Sequence, residues 1–404
     1  MGAIQIQIPA FVRAVLDALA AAGHRGYLVG GCLRDLLRGE QPHDYDLTTD
    51  ATPLQMQTAF AAFHVIPTGL KHGTLTVLSM GEPVEITTHR VDGTYSDARR
   101  PDSVSFTTRL ADDLARRDFT VNAMAYSDET GLVDLFGGKE DLERGVIRAV
   151  GNPVARFSED ALRILRAYRF SAQLGFSVDA DTARGAAATR EGLARVASER
   201  IFAEFSRLLT SPFAAKGLQG ALEAGLCPYL LGDLVPERAV IAQLGALRPH
   251  AAVRLAALLP DADQGALRVL CHRLKTPNAF LDTLLRAAEA ARAPLPDSPY
   301  AARHFAHRYW GAWEDGLSIA ALRGADVREA QALCARVVRE GSVIELRRLA
   351  VNGRELQERL GVPPAQTGAM LARLQDAVFA DPAENKKSNL LALAATLLRE
   401  DACR

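Results

Sequence analysis

Paired cysteines are missing from this sequence. Its five cysteines, at positions 32, 227, 271, 334 and 403, are scattered, with no Cys-x-x-Cys among them. A zinc cluster and a disulfide framework are both excluded, and a reducing compartment fits. No uninterrupted apolar run approaches the roughly 18 residues that a membrane-spanning helix needs. The first 26 residues form an amphipathic segment containing Arg13 and Asp17, without the basic start and apolar core of a secretory signal. Ile6 stands where a myristoylation signal requires Ser or Thr. A cytoplasmic protein with no membrane attachment is therefore expected. An excess of either charge is lacking too: 47 basic and 48 acidic residues leave a net charge of −1, so no global field draws a polyanion. Lysine is scarce, with six against 41 arginines. That bias has two readings, a genome-wide preference or a demand for planar, bidentate contacts to phosphates and bases. Composition does not choose between them.

What is present is ordinary for globular protein. The chain has 404 residues, 48% of them apolar and 24% charged, enough for two to four domains. Residues 9–22 have helical periodicity and stop at Gly23. Tyr27-Leu28-Val29 reads as a short strand entering Gly30-Gly31, followed by a helix over 32–38. Asp44 to Thr48 alternates as a strand does. Thr52-Pro53 is a good N-cap and first-turn pair for a helix over 53–63. Residues 73–79 and 83–89 read as a hairpin turning at Met80-Gly81-Glu82. From about residue 141 the strand signals almost vanish, and Ala/Leu/Arg-rich helical segments follow, broken by prolines. The expected class is α+β: a small mixed-sheet head followed by an elongated all-α neck, body and tail, with a division near 295–300.

Chemistry is concentrated in the head. Asp44 and Asp46, at i and i+2 of a strand, emerge on one face. Two carboxylates that close repel unless a cation lies between them. Hard oxygen ligands suit Mg²⁺, which takes one or two carboxylates and completes its shell with water and phosphate oxygens. A lone Asp-x-Asp is common on polar edge strands, so context decides. The Gly30-Gly31 turn between strand and helix offers backbone N–H groups to a phosphate. Glu85, between Val84 and Ile86, points to the face opposite those two apolar residues. Its plain reading is a solvated strand position. If it faces Asp44 and Asp46, three carboxylates could hold two Mg²⁺ ions for an in-line displacement at phosphorus.

Residues 26–53 (GYLVGGCLRDLLRGEQPHDYDLTTDATP) closely resemble the first motif of bacterial tRNA nucleotidyltransferases, the CCA-adding enzymes, and of their sister poly(A) polymerases, both in the polymerase β superfamily. The pattern Gly-Gly-x-x-Arg-Asp, then Asp-x-Asp-x-Thr, is long and specific. The resemblance implies that Asp44 and Asp46 are metal ligands and that Gly31 and Arg34 contact a nucleoside triphosphate. Residues 116–123 (RRDFTVNA) are similar to the second motif; alone they read as a solvated helix start. The likeness implies that Arg117 contacts the nucleotide and that Asp118 reads the ribose 2′-hydroxyl. Asp134 to Gly138 matches the third motif, implied to flex between head and neck.

Residues 156–176 read as one helix with Ser158 as N-cap, Leu162, Leu165 and Phe170 as an apolar stripe, and Arg163, Arg166 and Arg169 along one flank. The plain reading is a salt-bridged surface helix supported by Glu159–Arg163. Base chemistry offers more. Cytosine and adenine each place an exocyclic amino donor beside a ring-nitrogen acceptor. A carboxylate only accepts and a guanidinium only donates. Asp160 and Arg163 would suit C and A alike, whereas uracil and guanine reverse the pattern and leave both charges unpaired. The family's fourth motif is this Glu-Asp-x-x-Arg string, and its implied role is an amino-acid template, with Arg166 and Arg169 facing phosphates or base.

The implied activity is addition of CCA to the 3′ end of tRNA from CTP and ATP, with Mg²⁺ as cofactor. The implied domains are a catalytic head (1–140), a base-selecting neck (141–210), a body (211–298) and a tRNA-binding tail (299–404). Alternatives are an A-adding enzyme paired with a separate CC-adding one, a poly(A) polymerase, and a non-catalytic RNA-binding relative. The stretch after Arg90 (VDGTYSDARRPDSVS) resembles the flexible loop of CCA-adding enzymes, which CC-adding relatives generally lack. Residues 344–390 resemble a tRNA-gripping tail. His43-Asp44 alone does not make an HD phosphohydrolase. His304 and His307 have no acid partner by spacing and read as surface or core, and Trp310 and Trp313 read as core aromatics.

Overall fold

The computed structural model describes residues 6–93 and 104–402. It divides into two compact units, one drawn from Met1–Val235 with Leu270–Thr276, the other from Pro236–Val269 with Pro277–Arg404.

The first unit is organised by a seven-stranded sheet. Its strands are β1 (Gly26–Val29), β2 (Asp46–Thr49), β3 (His64–Gly69), β4 (Thr74–Ser79), β5 (Glu82–Thr88), β8 (Met124–Ser127) and β9 (Gly131–Asp134), in the order β3-β4-β5-β2-β1-β8-β9. Arg90–Asp92 (β6) and Val104–Phe106 (β7) form a separate antiparallel ribbon. The remainder of the loop singled out between them, residues 94–103, lies outside the described residues. β2 and β5 run parallel in the centre, and the other neighbours in the sheet are antiparallel.

The period-2 pattern assigns the faces. Leu28, Leu47, Leu75, Val77, Val84 and Ile86 are buried against Val12, Val15 and Leu19 of α1 (Ala10–Ala21), Leu33 of α2 (Gly30–Leu37) and Met56 of α3 (Pro53–Ala59). Alternating residues, Asp46 and Glu85 among them, fall on the opposite face. α1 ends as the sequence suggests, with Gly23 at φ +81. Thr52 closes a full capping box with Gln55, although α3 stops at Ala59 rather than continuing to 63.

Three strands of the seven-stranded sheet escaped the sequence reading. β3 carries Pro67 inside it and a register shift between Ile66 and Gly69, features confined to sheet edges, where it lies. β8 and β9 are four residues each; β8 follows the second motif, whose plain reading is a solvated helix start, and β9 runs into the third motif at Asp134. The predicted helix over 156–176 is two helices. α6 (Pro153–Glu159) is capped by Asn152, and α7 (Leu162–Leu174) follows a break at Asp160, whose φ/ψ of −139/102 is extended. Ser158 is not an N-cap; its hydroxyl donates to the Val154 carbonyl inside α6.

The third-motif turn is tied down. The Asp134 carboxylate accepts the backbone N–H groups of Phe136, Gly138 and Lys139. A Cβ on Gly138 would stand 2.2 Å from the Thr120 carbonyl oxygen, so no larger residue fits there.

The second unit is helical and holds two hydrophobic clusters, one spanning Ala290 to Val337 and one spanning Ile344 to Ala394. His304 does have an acid partner: its Nε2 lies 2.8 Å from Asp376. That partner is 72 residues away, beyond any spacing argument. Trp313 is buried as expected, but Trp310 is 53% exposed. No described helix is long and apolar enough to cross a membrane.

Candidate active site

The site grows from the middle of the sheet. Asp46 opens β2, and its register partner across the parallel pair is Glu85. Asp44 lies just before the strand rather than in it. The Glu85 N–H donates to the Tyr45 carbonyl at 3.0 Å, so the ladder holds the chain one residue further and brings the carboxylates together. Burial, then Asp44, then Glu85 push the Asp46 carboxyl up to about 6. Burial and Asp44 raise Glu85 as well. The group is thus short of positive charge in the way a divalent-cation site is. Among the described residues, however, no three Asp, Glu, His or Cys side chains close into a metal cage. The donor set that fits a cation is the Asp44/Asp46 pair, with water and phosphate completing the shell.

The glycine pair begins α2 rather than preceding it. Gly30 adopts φ +72, and a Cβ there would lie 3.2 Å from Arg117 Nη1 and 3.8 Å from Asp46 Oδ2. Only glycine combines that backbone with that approach. Arg34 on α2 is 4% exposed. Its Nε donates to Asp35 at 2.8 Å and its Nη1 to the Asn122 side-chain oxygen at 2.8 Å.

The second motif is a turn into a 3₁₀ segment, Thr120–Asn122, after α4 (Leu110–Ala115). Asp113 on α4 is wholly buried and accepts from Arg116 at 2.6 Å through one oxygen and from Arg117 at 3.0 Å through the other. Asp118 accepts from Asn122 and from the Phe119 N–H, while Arg166 donates to it twice, at 2.9 and 2.6 Å. Burial opposes both charges. Arg117 and Arg116 outweigh it at Asp113, and Arg166 at Asp118, and each carboxyl sits at about 2.

These two groups give a pH prediction. Their folded values lie below the usual 3.8, so the stability they contribute is present above about pH 4 and lost as pH falls toward 2. The melting temperature should drop between about pH 4 and pH 2, and less steeply in Asp118→Asn. An equal slope in the variant would contradict the assignment.

The break between α6 and α7 presents Asp160 and Arg163. Asp160 Oδ1 accepts the Leu162 N–H at 3.0 Å, and its Oδ2 accepts from Arg200 Nη2 at 2.9 Å. Arg163 donates to Glu159 at 2.6 Å and to the carbonyls of Arg156 and Arg116. The Glu159–Arg163 pair of the plain reading therefore exists, and it orients Arg163. Arg169 donates to buried Glu204 of α9 (Ser198–Thr210) at 2.7 Å. Burial, only partly offset by Glu204, lowers its guanidinium to about 10.

All these elements line one cleft of about 490 Å³, bounded by Gly30, Gly31, Arg34, Asp44, Asp46, Arg116, Arg117, Asp118, Asn122, Asp160, Arg163, Arg166, Arg169, Phe170 and Arg200 among others. Every site residue named from the sequence lines it except Glu85. Sequence reasoning missed Asp113, Asn122, Arg200 and Glu204. Asp113 precedes the second motif and Asn122 lies inside it, whereas Arg200 and Glu204 come from a helix with no local signal.

Residues 26–148 match the family model described as the poly A polymerase head domain, and residues 175–238 match that of a probable RNA- and SrmB-binding site of polymerase A. A CCA-adding enzyme of Lactiplantibacillus plantarum is 33% identical over 97% of this chain and 98% of its own. That of Geobacillus thermodenitrificans is 37% identical over 94% of each. Among solved structures, the Bacillus stearothermophilus CCA-adding enzyme in complex with CTP aligns with a TM-score of 0.78 at 31% identity, over 98% of this chain and 99% of that one. The Thermotoga maritima CCA-adding enzyme complexed with tRNA-CCA shares the fold at a TM-score of 0.71 and 19% identity, over 98% of this chain and 100% of that one.

Proposed function

The chain belongs to the CCA-adding enzyme family, and on that premise we propose that it adds C, C and A to the 3′ end of tRNA, without a nucleic-acid template, from CTP and ATP with release of pyrophosphate. The observation that carries this reading is the single cleft in which the Asp44/Asp46 pair, Asp160 and seven arginines, Arg163 among them, converge. Arginines of that number suit a triphosphate, and they are spaced along the cleft rather than exposed on a flat surface.

The chain's residues divide the work. Asp44 and Asp46, with Glu85 beside them, hold divalent cations, proposed as two Mg²⁺, which when bound neutralise phosphate charge and favour the ionised primer hydroxyl. Gly31 and Arg34 meet the triphosphate at the start of α2. Arg117 contacts the nucleotide, and Asp118, fixed by Arg166, meets the ribose 2′-hydroxyl. Asp160 accepts the amino hydrogen of C or A while Arg163 donates to the ring nitrogen. Arg166 and Arg169 keep the selecting helix charged toward the nucleotide. We further propose a four-part division at 1–140, 141–210, 211–298 and 299–404, with the last part gripping tRNA, and a cytoplasmic location, supported by four described cysteines that are all free thiols.

The test is incorporation with Mg²⁺ and each nucleotide, alone and together, on tRNAs ending before the first C or after CC, and on an unstructured RNA. Complete CCA on the first substrate is expected. Addition of A only to the CC-ended tRNA would make the protein an A-adding partner of a second enzyme. Long A tracts on plain RNA would make it a poly(A) polymerase.

A further inference from the structure

Arg117 stands between two carboxylate sites. On one side its Nη2 donates to Asp113 at 3.0 Å. On the other, its Nη1 and Asp46 Oδ2 both approach one point beside Gly30, at 3.2 and 3.8 Å. The Arg117 charge is felt at Asp46, where it opposes the upward push of burial and of the neighbouring acids. Gly30 has no side chain to separate the two groups, and its φ of +72 disfavours any replacement that would supply one. Arg117 Nε is buried with no hydrogen-bond partner, so this guanidinium has unspent donor capacity. A planar fork beside a carboxylate forms a bidentate pair wherever it can reach one.

Asp113 counters that pull. Its side chain is 0% exposed, and it lies outside the cleft lining. It gives one oxygen to each arginine, Oδ1 to Arg116 and Oδ2 to Arg117. We propose that Asp113 is a positioning residue that keeps Arg117 from pairing with Asp46, and so leaves the Asp44/Asp46 carboxylates open to a divalent cation. The inference rests on the reading of those carboxylates as the cation site. Asp113→Asn keeps the shape but replaces one acceptor oxygen by an amide donor. One arginine loses its partner, and the carboxylate beside Gly30 on which the Arg117 charge already acts is Asp46.

The experiment is direct Mn²⁺ binding to the full chain by electron paramagnetic resonance, without nucleotide or turnover. Asp113→Asn should bind Mn²⁺ about tenfold or more weakly, the scale on which outer-shell partners act on metal sites. Adding Arg117→Gln to that variant should restore binding toward wild type, because the competing cation is gone. Arg117→Gln alone should bind Mn²⁺ as tightly as wild type or more tightly, a readout that stands even if Asp113→Asn fails to fold. Unchanged binding in Asp113→Asn, no restoration in the double variant, or weakened binding in Arg117→Gln would each overturn the proposal. Asp46→Ala separates the premise from the inference. If it leaves Mn²⁺ affinity untouched, the cation reading of the carboxylates fails, whatever Asp113 does.

Discussion

Asp46→Asn is expected to lower nucleotide incorporation by about three orders of magnitude or more, equivalent to at least ~4 kcal/mol of transition-state stabilisation, while CTP and tRNA still bind. The substitution keeps the heavy-atom count and nearly the shape, so the loss isolates charge and the exchange of an acceptor for a donor. Asn keeps one oxygen but turns the partially positive hydrogens of a neutral amide toward a cation. The structure adds a second, opposite signature. Burial, Asp44 and Glu85 all raise the Asp46 carboxyl, so holding it ionised at neutral pH costs folding stability. Removing the charge should therefore raise the melting temperature measured without divalent ions, as replacing residues at strained functional sites commonly does. Single-turnover incorporation on a CC-ended tRNA, beside a melting curve, checks both. Residual activity above a tenth of wild type, or a protein less stable than wild type, would contradict the reading.

The legible and illegible parts of the site differ in range. The pleat alone placed Glu85 opposite Val84 and Ile86, and the structure sets it beside Asp46 in register. The Thr52 cap and the hairpin are equally local and form where expected, whereas the glycine pair opens α2 instead of preceding it. Asp113 and Arg200 were invisible for a different reason. The partners of Asp113, Arg116 and Arg117, are local at i+3 and i+4, but its burial depends on how α4 packs, and the partner of Arg200, Asp160, lies 40 residues away. In isolation an acid among arginines or an arginine on an amphipathic helix is indistinguishable from a solvated residue. The same blindness hid Asp376 beside His304. The break at Asp160 was missed because Ser158 and the acids after it imitate a helix start, whereas the true cap, Asn152, lies six residues earlier.

That break bears on the prediction for Arg163. An uninterrupted helix would carry Asp160 and Arg163 as neighbours one turn apart, free to neutralise each other. In the folded chain each is held by something else: Asp160 by Arg200 and the Leu162 N–H, Arg163 by Glu159 and two carbonyls. These bonds occupy three of the five guanidinium donors, and each Asp160 oxygen keeps a free lone pair, so one acceptor and one donor stay available to a base edge. Arg163→Ala removes the donor to the ring nitrogen and leaves C or A recognised through its amino group alone. The preference for C and A over U and G should fall by about tenfold to a hundredfold, the cost of leaving a buried polar partner unmatched. tRNA affinity should stay near wild type, because the lost contact lies inside the nucleotide cleft. Arg163→Lys should not restore selectivity, since an ammonium lacks the planar fork that Glu159 and the carbonyls orient. Competition between CTP and UTP on a single primer reads this directly. An unchanged ratio in Arg163→Ala would remove Arg163 from base selection and leave it the salt-bridged helix residue of the plainer reading.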